Sequence, residues 1–79
     1  MNFKVRELYA RFYPADELWV QIKEDITLQD VWDCIKNGNE FYDLIGVYDS
    51  IVRQRVFDLL SMALGIEYED IYETWLNND

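Results

Sequence analysis

The side chains in this sequence that could do chemistry are carboxylates. Glu67, Glu69, Asp70 and Glu73 fall within seven residues, and the i,i+4 and i,i+3 spacings of Glu69, Asp70 and Glu73 place them close together on a helix surface. Such carboxylates can move protons, hold a divalent ion, or present negative charge to a cationic partner. The first two uses need companions that the sequence does not supply. It has no histidine, the commonest general base and metal ligand. It has neither the ordered oxygen-ligand loop of a calcium site nor a glycine-rich phosphate loop. The single cysteine, Cys34, lacks a histidine partner and falls beside a helical apolar stripe, the place of a small buried hydrophobe rather than a nucleophile. The expectation is a protein that is not an enzyme, with no catalytic residue, metal or cofactor.

Charge is distributed unevenly along the 79 residues, which carry a net −9. Residues 1–13 hold Lys4, Arg6 and Arg11 against Glu7 alone, a net +2, whereas residues 14–55 carry a net −5. Residues 56–79 hold six acids and no base. A C-terminal third of one sign makes a strong local field that attracts cations and repels phosphates. The chain is still apolar enough to fold, with 51% hydrophobic residues and 13 aromatics. The size predicts one small domain over 1–79 with modest stability. A lone cysteine and no signal-peptide pattern predict a cytoplasmic protein. Apolar runs of only a few residues predict that no segment spans a membrane, and the acidic balance disfavours anionic headgroups.

The predicted architecture is α+β, mainly α, with about four short helices (3–13, 28–37, 50–64, 67–76) and one short strand (17–23). Val5, Leu8, Tyr9 and Phe12 form a helical stripe that Pro14 ends. Leu18, Val20 and Ile22 alternate with Trp19, Gln21 and Lys23, the period of a strand, although Leu18, Trp19 and Ile22 would also suit a helical turn. A strand there must pair with 41–47 or with another chain, which raises a homodimer through 17–23. Residues 41–47 suit either a helical turn or a short strand around Gly46, and the mixed signal favours an irregular segment. Thr27 with Asp30 suits a capping box, and Gly38 suits a left-handed stop. Asp49 or Ser50 and Gly65 bracket the next helix. Tyr68, Ile71, Tyr72 and Trp75 form the apolar stripe of the last one. Trp32, Phe57 and Trp75 are candidate core residues.

Within residues 57–76 the spacing of Ser61, Gly65, Ile66 and Ile71, with Leu60 and Leu64 as accompanying apolar positions, resembles the helix-turn-helix family. That resemblance implies a recognition helix whose outward positions would be Glu67, Tyr68, Glu69, Tyr72 and Glu73. Three glutamates there oppose a duplex that carries about one negative charge per 1.7 Å, so direct nucleic-acid binding is not expected of this helix. In size and charge the chain is similar, at class level only, to small acidic phage-encoded inhibitors such as anti-CRISPR and anti-restriction proteins that mimic DNA. The leading expectation is an acidic interaction module that binds a basic surface of a nucleic-acid-handling protein through Glu67, Tyr68, Glu69, Asp70, Tyr72 and Glu73. Tyrosines among carboxylates, including Tyr13, Tyr42 and Tyr48, suit such an interface. The alternatives are a helix-turn-helix-like DNA-binding regulator that uses the basic N-terminal segment with Arg53 and Arg55, and a structural accessory subunit of a larger assembly.

Overall fold

The helix boundaries follow the capping residues. A computed structural model describes residues 3–77; Asp79, the last of the six C-terminal acids, lies outside them. The elements are α1 (Val5–Phe12), a 3-10 turn (Glu17–Gln21), α2 (Leu28–Lys36), α3 (Phe41–Ile45), α4 (Ser50–Leu64) and α5 (Tyr68–Asn77). At the head of α2 the Asp30 backbone N–H donates to Thr27 Oγ1 and the Thr27 N–H donates to Asp30 Oδ2, both at 3.1 Å, the capping box expected of that spacing. Asp49 caps α4 by accepting from the N–H of Ile51 at 2.8 Å and of Val52 at 3.4 Å.

Gly65 ends α4 at φ +69, the left-handed conformation that costs an L-residue about 1–2 kcal/mol. An added Cβ would meet nothing within 4 Å, so only that backbone cost applies. Gly65→Ala is therefore expected to lower Tm by roughly 4–8 °C or somewhat more while leaving the fold intact. Thermal melts read this, and an unchanged Tm would contradict it.

The predicted strand at 17–23 is absent. Residues 17–21 wind into a 3-10 turn instead, and the described residues contain no sheet, only an isolated antiparallel bridge between Lys4 and Thr27. The cause is Asp16, whose Oδ1 accepts the Leu18 N–H at 2.9 Å and starts a turn where an extended chain would have had to continue. Trp19 O then accepts the Ile22 N–H at 3.2 Å. Leu18 and Trp19 are half-buried, Ile22 is buried, and Val20, which the alternation placed with them, is 50% exposed. The observed pattern is the helical-turn spacing. Pairing with 41–47 survives only as one backbone bond, from Lys23 N–H to Ile45 O at 3.1 Å, because residues 41–45 form α3 and Gly46 stops it at φ +83. A homodimer through 17–23 consequently has no strand to use.

α4 forms the spine. Val52, Val56, Phe57, Leu59 and Leu60 are buried along it, and α1, α2 and α5 all pack against it. From α1 come Val5 and Tyr9, from α2 Leu28, Val31 and Ile35, from α3 Phe41 and Ile45, and from α5 Ile71. Burying each large side chain stabilises the fold by about 1.5–3 kcal/mol before entropy is counted. Of the three expected core aromatics, Phe57 is fully buried, while Trp32 and Trp75 are half-buried at the core's edge. No helix among the described residues is long and apolar enough to cross a membrane.

Candidate functional site

α5 presents two different surfaces because its apolar stripe is turned inward. Ile71 is buried and Trp75 packs edge-on against Phe57, with ring centroids 5.7 Å apart at 79°. Glu67, Glu69, Asp70 and Glu73 are therefore driven to the solvent side, and all four are exposed. Their side chains make no ion pair among the described residues. At 1.5 Å rise per residue, four carboxylates over this span give about one charge per 2–3 Å of axis, a density comparable to nucleic-acid backbones.

The two tyrosines expected at this site lie at its border. Tyr68 and Tyr72 are half-buried and stack on each other, 6.4 Å apart at 12°. Tyr68 also leans on Phe57, and Tyr72 covers Arg53. The structure thus leaves all four carboxylates exposed, Glu69 and Asp70 each one turn from Glu73 on α5 and Glu67 just before the helix, and gives Tyr68 and Tyr72 a packing duty. Tyr48 is the freer aromatic at 71% exposed. It stacks on Tyr42, which in turn meets Trp75 edge-on, so a ladder of rings leads from solvent to α5.

The cations are mostly engaged inside the molecule. Arg53 is only 7% exposed, and its guanidinium lies 5.1 Å from the Phe57 ring centre, 5.2 Å from Tyr72 and 4.8 Å from Trp75. Its Nη1 is buried with no hydrogen-bond acceptor. Two residues on, Arg55 points to the other side of α4, stacks 4.9 Å from the Tyr13 ring and pairs with Asp16. Arg6 lies over Trp19 and pairs with Glu24 at 3.8 Å, Lys36 pairs with Asp33 at 3.7 Å, and Lys23 Nζ donates to Asp43 O at 3.1 Å. Lys4 and Arg11 remain without an ion pair among the described residues. The arginines that a DNA-reading alternative would use, Arg53 and Arg55, are thus one caged and one paired.

Asp16 ties three elements together. It accepts from the Tyr9 hydroxyl at 2.5 Å, from the Leu18 N–H and from Arg55. The Tyr9 hydrogen bond is the main reason its carboxyl is held below the usual range; burial opposes the shift and Leu18 and Arg55 reinforce it. Burial first, then the hydrogen bond to Asp16, pushes Tyr9 up to about 12. A depressed folded-state carboxyl stabilises the fold above its ordinary pKa of about 3.9, and that contribution is lost as pH falls through the lower folded value. Asp16→Asn is accordingly expected to lower the urea midpoint at neutral pH, with the gap to the parent closing as the solution is acidified below the ordinary carboxylate pKa. An equal gap at both pH values would contradict the linkage. A raised tyrosine stabilises in the opposite direction, fully below its ordinary pKa of about 10 and progressively less as pH rises towards 12.

A second acidic feature escaped the sequence reading. Asp30 and Asp33 on α2, with Glu40 and Asp43 at the start of α3, line an open recess of about 480 Å³ with Asn37 and Asn39. Two i,i+3 acidic pairs flanking a glycine turn were the available signal, but Asp30 alone had a local explanation, as a cap. Cys34 borders this recess, buried, its thiol 3.5 Å from Asn39 O and raised by burial and by the charge of Glu40. Among the described residues no cluster of three or more histidine, cysteine or acidic side chains is arranged to hold a metal ion. Comparison with protein-family models, curated proteins and solved structures finds no match for this chain.

Proposed function

We propose that this chain is an acidic protein-interaction module, an inhibitor or modulator that docks the exposed carboxylates of α5 into a basic groove of a nucleic-acid-handling protein in place of phosphates. The observation that carries the reading is the set of four exposed, unpaired carboxylates, Glu69, Asp70 and Glu73 on α5 and Glu67 just before it, with the helix's other side locked to the core by Ile71 and Trp75. Charges on a rigid helix pair need little ordering on binding, and a field of one sign raises the association rate with a basic partner. Engagement of Arg53 and Arg55 within the fold also favours this reading over DNA binding by the same chain. The partner class is a basic, phosphate-binding protein surface in the cytoplasm, a setting this proposal shares with counter-defence inhibitors of phage and mobile elements.

The test is capture from a cell lysate on immobilised protein, followed by stepwise salt elution and competition with duplex DNA. A basic protein that elutes with rising salt and is displaced by DNA supports the proposal. Retention of DNA itself, or of a protein that neither salt nor DNA displaces, overturns it.

A further inference from the structure

Three of the seven large apolar side chains that stand exposed among the described residues line one groove. Phe3 (52% exposed), Phe12 (53%) and Met62 (58%) meet there with Leu8, Leu59 and Ala63, around an apolar cleft of about 200 Å³ between α1 and α4. Clustering of this kind marks a contact surface, whereas single exposed apolar residues are ordinary.

Charges of opposite sign adjoin the lining residues along the chain. On α1's side Lys4 follows Phe3 and Arg11 precedes Phe12, and neither has an ion pair among the described residues. On the α4 side stands Asp58, one helical turn before Met62 and held only by a 3.5 Å hydrogen bond from the Tyr13 hydroxyl. Because Tyr13 directly follows α1, Asp58 lies at the same end of the cleft as Arg11, in the last turn of α1. A twofold axis running along the cleft lays α1 of one copy over α4 of the other and keeps the two ends in register. It sets Arg11 against Asp58 of a second copy, twice, with the apolar side chains between them, as a self-complementary interface requires. Half of the lining, Phe3, Leu8 and Phe12, belongs to the only net-positive segment, residues 1–13, which offers opposite charge to Asp58 on the α4 side of a second copy.

We propose that the α1/α4 cleft is the contact face between two copies of this chain, closed by Phe3, Phe12 and Met62 and framed by reciprocal Arg11–Asp58 pairs. A standard interface buries about 800 Å² per partner, roughly a sixth of this chain's 4734 Å² surface, and a cleft with six lining side chains is smaller. The dimer is therefore weak and concentration-dependent. The interface is independent of the α5 carboxylates and leaves them free for a basic partner.

Sedimentation equilibrium over a concentration series at physiological salt tests this. The expected result is a reversible monomer–dimer equilibrium, weakened about tenfold or more by Phe12→Glu or Met62→Asp, the size expected of an anchor at an interface centre. Both sites are exposed, so thermal melts of these variants should match the parent and separate lost association from lost folding. Arg11→Asp and Asp58→Arg, each alone, should also weaken self-association, since each sets like charges against one another across the twofold. Mixing the two single variants should restore dimers, because both pairs in the mixed dimer are again of opposite sign. A chain that stays monomeric at the highest concentration, or a mixture that recovers nothing, overturns the proposal and assigns the cleft to a segment of another protein.

Discussion

Phe57→Ala is expected to be the most destabilising single truncation in this chain, lowering its stability by about 3–5 kcal/mol. Phe57 is fully buried and joins three helices: its ring meets Phe41 of α3 edge-on at 5.3 Å and Trp75 of α5 at 5.7 Å, and the Arg53 guanidinium lies over it. Truncating such a phenylalanine costs about 3–5 kcal/mol, the transfer of the ring plus the cavity left behind. At about 0.05–0.15 kcal/mol per residue, a chain of this size has roughly 4–12 kcal/mol in total, so the loss removes a large fraction of it. Circular dichroism with urea titration reads the effect, and Phe57→Leu, which keeps an apolar side chain in place, should cost less. A cooperative melt for Phe57→Ala within a few degrees of the parent would contradict the central position given to this ring.

Arg53 carries the second large effect, and there the identity of the replacement decides the sign. Its guanidinium is desolvated, has three aromatic partners and leaves Nη1 without an acceptor. Cation–π contacts in a desolvated site contribute about 2 kcal/mol or more, against the cost of burying a charge that lacks a counter-ion. Arg53→Ala removes the contacts and opens a cavity between α4 and α5, at an expected cost of about 2–4 kcal/mol. Arg53→Lys should also destabilise, because an ammonium cannot lie flat between rings and is more strongly hydrated. Arg53→Met fills the space without a buried charge and should stay within about 1 kcal/mol of the parent or exceed it. Urea midpoints of the three variants give the order. Methionine ranking as low as alanine would show that the charge, rather than the packing, holds α5 in place.

The helices were legible in the sequence because their signals are local. The Thr27–Asp30 capping box, Asp49 before α4 and the glycine after it all act within a few residues, and the observed bounds of α2 and α4 fall within one residue of those expected. Residues 17–23 failed for the complementary reason. Leu18, Val20 and Ile22 alternate as a strand would, but the outcome is decided by Asp16, which is fixed by Tyr9 seven residues before it and by Arg55 thirty-nine residues after it. No local window contains that information. The same holds for the two arginines of α4. Arg53 and Arg55 look equivalent in the sequence, yet two residues of helix turn them about 200° apart, one into the rings of α5 and the other towards α1.

For the candidate site, the exposure of the four carboxylates was legible because the apolar stripe of α5 takes the inward positions and leaves theirs to solvent. The partial burial of Tyr68 and Tyr72 was not, since it depends on Phe57 and Arg53 from a different helix. The acidic recess between α2 and α3 was missed because its two halves meet only once Gly38 and Asn39 have turned the chain. These corrections leave the binding proposal on the carboxylates, with the tyrosines as packing supports.

The most direct measurement of that proposal is the association rate of Glu69→Lys/Glu73→Lys with the protein captured by the parent, followed across a salt series. Both positions are exposed, so the double variant should keep the parent's Tm. The expected result is association slowed by about tenfold or more at low salt, converging towards the parent's rate as salt screens the field. Equal rates for parent and variant at every salt concentration would contradict the assignment of α5 as the docking surface.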